Sequence, residues 1–454
     1  MKRKGLVVVA AVMALMAAPA AKAETLSDAL ASAYNTSGLL DQNRALLRAA
    51  DENVAQSIAA VLPVINWSLT GSRTRSTVSG TSISDSSVVA RITAGLTLYD
   101  FGASQLAIDA QKEIVLGTRQ ALRNVEQEVL LRAVRSYMNL ISAREFVQLR
   151  ENNVRLITQE FRAAQDRFEV GEVTRTDVAL AEARLAAARS LLAASQGDLA
   201  VSAEEFRAAV GRAPTNPSAV GAAPVSRNLD EAKEFAVRNH PSILEAQHNV
   251  AAAELNIKRA QAAVNPTVTL DSSISRDLDD DGSFQTGITV AGPIYRGGSI
   301  SSQVRQSSAN RDAARSGLHL SRIGIEQQVA SAFAQLQVAR ATRQASEQQI
   351  SAATVAFQGV REEATLGSRT TLDVLNAEQE LLDARANRIA AQSDEVVASY
   401  SVLSAMGLLT VDHLGLAVQQ YDPSEYYNLV KDAPTRRSSQ GEALDRVLQS
   451  IGKE

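Results

Sequence analysis

The chain has 454 residues, 45% of them hydrophobic but only 4% aromatic, and a formal charge of −4. With no excess of basic residues it lacks the counter-charge that a phosphate backbone requires, which excludes nucleic acid as a partner. It contains no cysteine, so disulfides and thiolate metal sites are excluded too.

Residues 1–23 read as a secretory signal peptide. Lys2, Arg3 and Lys4 are followed by an apolar stretch over 6–16 and by Ala21-Lys22-Ala23, a small-residue cleavage site before Glu24. The apolar stretch is well short of the roughly 20 residues a spanning helix needs. Nothing later in the chain is apolar over that length, so membrane residence would require a β-barrel.

Residues 26–60 are helix-prone and stop before Pro63. A strand follows, with Ile65, Trp67 and Leu69 on one side and Asn66, Ser68 and Thr70 on the other. The Ser/Thr/Gly stretch 71–87 reads as a loop. The return strand sets Ile92, Ala94, Leu96 and Leu98 against Arg91, Thr93, Gly95 and Thr97. Alternation with period two marks strands between two different environments, and apolar outside with polar inside is the wall pattern of an outer-membrane barrel. By local pattern alone an amphipathic sheet on a soluble core is favoured; the signal sequence and the repeat shift the balance toward the barrel.

From 102 to 170 the chain is free of proline, a helix of roughly 100 Å at about 1.5 Å per residue. It ends at Val170-Gly171-Glu172-Val173-Thr174-Arg175-Thr176-Asp177-Val178, and a shorter helix returns to Gly211. A glycine closing one helix and Thr-x-x-Asp opening the next is a helical hairpin.

The chain then does the same again. Gly171 recurs 196 residues later as Gly367, in Leu366-Gly367-Ser368-Arg369-Thr370-Thr371-Leu372-Asp373-Val374, and Ala181-Glu182 recurs as Ala377-Glu378. Before it come a strand carrying Val268, Leu270 and Ile274, an acidic turn over 277–282, a strand carrying Phe284, Ile288 and Val290, and a second proline-free stretch over 298–366. The organisation is therefore a signal peptide (1–23), a first repeat (24–211) with a β-hairpin over 63–99, a linker (212–228), a second repeat (229–418) with a β-hairpin over 266–295, and a polar tail (419–454) expected to be poorly ordered from about Ala433.

Four strands close no barrel, since small closed barrels need about eight, and open edges cannot face lipid. A lipid-facing wall therefore needs several chains, and a homotrimer supplies twelve strands.

With the doubled hairpin motif, the strand pairs, Leu62-Pro63 and Asn265-Pro266, and the turns Leu98-Tyr99-Asp100-Phe101-Gly102 and Ile294-Tyr295-Arg296-Gly297-Gly298 in view, the sequence resembles the TolC family of outer-membrane efflux proteins. The fold class this implies is an α+β membrane protein: an internally duplicated chain with four β-strands per protomer, a trimeric 12-stranded β-barrel in outer-membrane lipid, and long antiparallel helices forming a periplasmic α-helical barrel. It implies a passive exit duct for a tripartite efflux or type I secretion system, working with a periplasmic adaptor protein and an inner-membrane ABC or RND transporter. The ending Gln420-Tyr421-Asp422-Pro423 with Tyr426-Tyr427 is similar to the type I secretion branch. The rival reading is a soluble periplasmic or secreted coiled-coil scaffold, which leaves the duplicated strand pairs unexplained; a constitutively open porin has no need of the long helices.

The resemblance also implies residue roles. Asp373 and the position one turn on, Asn376, would line the channel aperture. Familiar members carry Asp at both, so this chain implies one carboxylate ring, cation-attracting because three facing carboxylates resist full ionisation unless cations neutralise them. Arg369 would latch the gate to Thr176 and Asp177 of the first hairpin. A further latch position is Ala364 here, without the aromatic ring some members place there. Gly171 and Gly367 are the hairpin-turn glycines.

No enzyme or cofactor site is expected. His240, His248, His319 and His413 have no metal-binding spacing, and the acidic turn at Asp277, Asp279 and Asp281 has Ile288 where a calcium loop places glutamate.

Overall fold

In the computed structural model, residues 24–78, 80–277 and 281–451 are described; residues 1–23, where a signal peptide is expected, and residues 278–280 of the acidic turn lie outside them. Elements run α1 (Leu26–Thr36), α2 (Gly38–Ala59), β1 (Val64–Val78), β2 (Thr81–Tyr99), α3 (Ala103–Glu169), α4 (Arg175–Val210), α5 (Leu229–Asn239), α6 (Pro241–Ala262), β3 (Thr267–Asp277), β4 (Gly282–Ala291), α7 (Ser299–Thr365), α8 (Thr371–Ala405), α9 (Val411–Leu414), α10 (Pro423–Val430) and α11 (Ser439–Ile451). Both long helices, α3 and α7, contain 67 residues. Among the described residues, no helix is long and apolar enough to cross a membrane.

The strands form one antiparallel sheet in the order β1-β2-β3-β4, so β1 and β4 are its edges. Register puts Trp67 opposite Ile92, Ile92 opposite Ile274, and Ile274 opposite Phe284. Because side chains alternate along each strand, this row lies on one face together with Ile65, Leu69, Ile288 and Val290. The row is bare: Trp67 is 81% exposed and Phe284 67%. Asn66, Arg91, Thr93, Asp271, Gln285 and Thr289 stand at the alternate positions.

Three expectations are corrected. The stretch 71–87 is not a loop: β1 continues to Val78 and β2 starts at Thr81. Ser and Thr line the ladder there, and Ser72 Oγ lies 2.9 Å from Ser87 Oγ across it; β-branched threonines suit an extended backbone. The helix expected over 26–60 is broken at Ser37, whose backbone is extended. The second repeat breaks at the equivalent His240, where Pro241 starts α6 and the His240 ring accepts from the Ser242 amide at 3.2 Å. Lastly, the tail from Ala433 is not unstructured, since 439–451 is helical.

Two compact units emerge, and each draws on both repeats. One holds the sheet, most of α2, the early parts of α3 and α7, α6, α10 and α11. Its core joins Leu47, Val54 and Val115 to Tyr421 and Tyr427, and Ala55, Tyr426 and Val430 to Leu444 of α11. Tyr426 donates to Glu52 Oε1 at 2.7 Å, while Arg44 and Arg119 lie over the rings of Tyr421 and Tyr427 at 5.3 and 5.4 Å. The C-terminal residues are ordered because their tyrosines complete this core.

The other unit holds α1, the later parts of α3 and α7, most of α5, and α4, α8 and α9. Phe146 and Leu149 of α3 pack with Leu382 and Ile389 of α8, and Ile157 and Phe161 of α3 pack with Leu185 and Ala188 of α4. Tyr137 Oη reaches the carbonyls of Glu24 and Ser218 at 2.7 and 2.9 Å. The segment 212–228 is tied down by Glu24, whose Oε2 accepts from the Thr215 amide at 2.9 Å, and by Ser399, whose Oγ accepts from the Ala223 amide at 2.9 Å.

Gly211 caps α4 in the left-handed region at φ 82°. A Cβ there would collide with the Thr36 side chain. Gly211→Ala therefore combines backbone strain with a clash and should cost about 2 kcal/mol or more, read as a lower Tm of the detergent-solubilised protein. Thr36→Ala in the same chain should recover part of the loss.

Candidate functional site: the two helical hairpin turns

Both turns are built the same way. After α3, Gly171 takes φ 82°, its amide donates to Phe168 O at 3.0 Å, and the Glu172 amide donates to Arg167 O at 2.9 Å. After α7, Gly367 takes φ 78°, its amide donates to Ala364 O at 3.2 Å, and the Ser368 amide donates to Glu363 O at 3.0 Å. This is the paired-carbonyl closure that a left-handed glycine permits at no steric cost.

The next helix opens with a reciprocal cap. Thr174 N and Oγ1 donate to Asp177 Oδ2 at 2.9 and 2.7 Å, and the Asp177 amide donates back to Thr174 Oγ1 at 3.3 Å. In the second turn Thr370 N and Oγ1 donate to Asp373 Oδ2 at 3.0 and 2.8 Å, with the Asp373 amide returning at 3.2 Å. The Thr174 and Thr370 amides thus gain carboxylate acceptors, and the Asp177 and Asp373 amides gain hydroxyl acceptors beside their bonds to Thr174 O and Thr370 O at 3.1 Å. Hydrogen bonds from Thr370 hold the Asp373 carboxyl below the usual carboxylate range, with Arg369 adding to them; those from Thr174 do the same to Asp177.

Asp373 is thus a helix-capping carboxylate at an exposed turn. Arg369 stands beside it, but its Nε donates to Glu363 Oε2 at 2.8 Å within the same hairpin. Within one chain Arg369 is not bonded to Thr176 or Asp177. Thr176 is exposed in the first turn of α4. Asn376 is exposed and accepts from Arg184 Nη2 at 3.3 Å, a link from α4 to α8. Ala364 packs with Phe357, Val374 and Leu381.

Sequence reasoning missed Glu378. It is buried and accepts from Asn153 Nδ2 at 2.7 Å. A signal was present: Val374, Glu378 and Leu381 fall on one face of α8, so a carboxylate interrupts an apolar stripe.

A profile of the outer membrane efflux protein family matches residues 29–212 and again 234–408, once on each repeat. The chain belongs to the outer-membrane efflux protein family. The outer membrane efflux protein BepC of Brucella suis biovar 1 (strain 1330) is 37% identical over 423 residues, 91% of this chain and 92% of that one. The outer membrane protein TolC of Escherichia coli (strain K12) is 24% identical over 315 residues, 64% of this chain and 63% of that one. Among solved structures, CusC superposes with a TM-score of 0.76 at 20% identity, covering 84% of this chain and 91% of that one. The fold is that of these channels, and the protein is an outer-membrane efflux or secretion duct extending into the periplasm.

Because the folded-state value of the Asp373 carboxyl is depressed, its cap is complete above the ordinary aspartate range and is lost as pH falls through that depressed value. Amide protection over the first turn of α8, with intrinsic exchange rates removed, should fall several-fold on such acidification. Asp373→Asn should show fast exchange at neutral pH as well.

Proposed function

We propose that three copies of the chain form one duct, with β4 of each protomer pairing with β1 of the next to close a twelve-stranded barrel. The observation that carries this is the sheet itself, four strands with two open edges and one bare apolar face. In lipid every unpaired backbone group costs several kcal/mol, so the edges must be satisfied by another chain. The apolar face then meets lipid and the polar face lines the lumen.

In this reading the Gly171 and Gly367 turns lie at the periplasmic end and close it. Asp373 forms a single carboxylate ring, with Asn376 a turn deeper, and attracts cations. Arg369, held by Glu363 in its own hairpin, braces the second turn and is positioned to exchange partners with Thr176 and Asp177 of a neighbouring hairpin. Opening is driven from outside by a periplasmic adaptor and an inner-membrane ABC or RND transporter, because the sequence carries no phosphate-binding loop of its own.

The chain has no cysteine, so introduced pairs report cleanly. Asn66→Cys on β1, combined in turn with Gln285→Cys, Gly287→Cys or Thr289→Cys on β4, should yield an oxidant-dependent ladder ending at a covalent trimer in outer-membrane fractions. A protein that runs as a monomer in mild detergent and cross-links in none of these registers would defeat the barrel. For the gate, Arg369→Ser should raise single-channel conductance, and Asp373→Ala should reduce cation over anion selectivity at unchanged trimer content.

A further inference from the structure

The second hairpin holds a carboxyl that neither its turn nor the sheet uses. Glu378 of α8 is only 5% exposed. Its Oε1 accepts from Asn153 of α3 at 2.7 Å, and its Oε2 is buried without a hydrogen-bond partner. Apolar packing flanks the pair on both sides. Phe146 and Leu149 meet Leu382 and Ile389 on one, and Leu156 meets Val374, Leu381 and Phe357 on the other. The repeat equivalent, Glu182, is exposed, so the two hairpins have diverged at this position.

A neutral carboxyl tolerates such a site, whereas an ionised one lacks the donors it needs. Burial pushes the Glu378 carboxyl up to about 7; Asn153 and Arg361 of α7 work against this rise, and Glu160 of α3 adds to it.

We propose that Asn153 and Glu378 form a proton-held joint: while Glu378 is neutral, α8 is seated on α3, and release of its proton to water loosens that seat and frees the second hairpin. Glu378 is a positioning residue, acting on Asp373 through the helix they share and on Arg369 through the turn that precedes that helix. The consequence for opening rests on the hairpin turns being the gate; the joint itself does not. The sign is fixed by the raised folded-state value: the seat weakens as pH rises from the ordinary glutamate range through about 7 and is level beyond it.

The test is amide exchange over residues 149–160 and 374–390 in the intact assembled protein, with intrinsic rates removed, from about pH 5.5 to about pH 8.5. Wild-type protection should fall roughly tenfold or more across this range, as expected when a buried group ionises. Glu378→Gln should be protected and pH-independent throughout, and Glu182→Gln, at the exposed repeat equivalent, should keep the wild-type profile over these segments. Asn153→Ala should move the midpoint to higher pH, because the ionised form loses its donor; a purely structural contact predicts no such shift. A flat wild-type profile, or one unchanged in Glu378→Gln, overturns the joint. Should Glu378→Gln fail to assemble, the Asn153→Ala midpoint decides alone. Conductance measured over the same range separates the two readings: pH-dependent exchange with pH-independent conductance supports the joint and removes its coupling to the gate.

Discussion

Backbone hydrogen-bonding capacity constrains this molecule more than any side chain does. A four-stranded sheet leaves one side of β1 and one side of β4 without a ladder, and the same sheet exposes Ile65, Trp67, Leu69, Phe284, Ile288 and Val290 on a single face. Water would accept the edges but not the face, and lipid would accept the face but not the edges. An outer-membrane location with neighbouring copies on both edges satisfies the two demands together. The duplication gives each chain two hairpins for that wall and two helical hairpins to follow them.

What the duplication has conserved and what it has let go follow different physics. Backbone-determined features are kept: left-handed glycines at Gly102 and Gly298, Gly171 and Gly367, and Gly211 and Gly407, together with the Thr-x-x-Asp caps. Each sets a direction change that other residues reproduce poorly. Side-chain partners have diverged. Asp100 caps the start of α3 through the Gly102 and Ser104 amides at 3.1 and 2.7 Å, yet the matching residue before α7 is Arg296. Phe101 takes φ 55° where the second repeat has Gly297 at 58°. Glu378 went inside while Glu182 stayed in water. Two nearly identical hairpins have thus acquired different chemistry.

Capping also changes how the turn residues are understood. Asp373 and Asp177 are equivalent in local geometry, each bound by its own threonine. A role for Asp373 at an aperture is therefore additional to a cap it already provides, and it depends on the symmetry of an assembly in a way that the cap does not.

Period-two alternation, proline-free stretches and the doubled hairpin motif determined the element order, the strand faces and the turn positions, because these depend on neighbours a few residues apart. The same logic misjudged 71–87, where small polar residues read as loop but pair across a long ladder. It also misjudged the C-terminal segment, whose order comes from Tyr421, Tyr426 and Tyr427 reaching Arg44, Glu52 and Arg119 some three hundred or more residues earlier. The partner of Arg369 came from its own turn, where Glu363 competes with the first hairpin, but the burial of Glu378 was decided only by tertiary packing. Helical spacing places a residue on a face, but whether that face meets water, Asn153 or an apolar seam is set by a helix more than two hundred residues away in the chain.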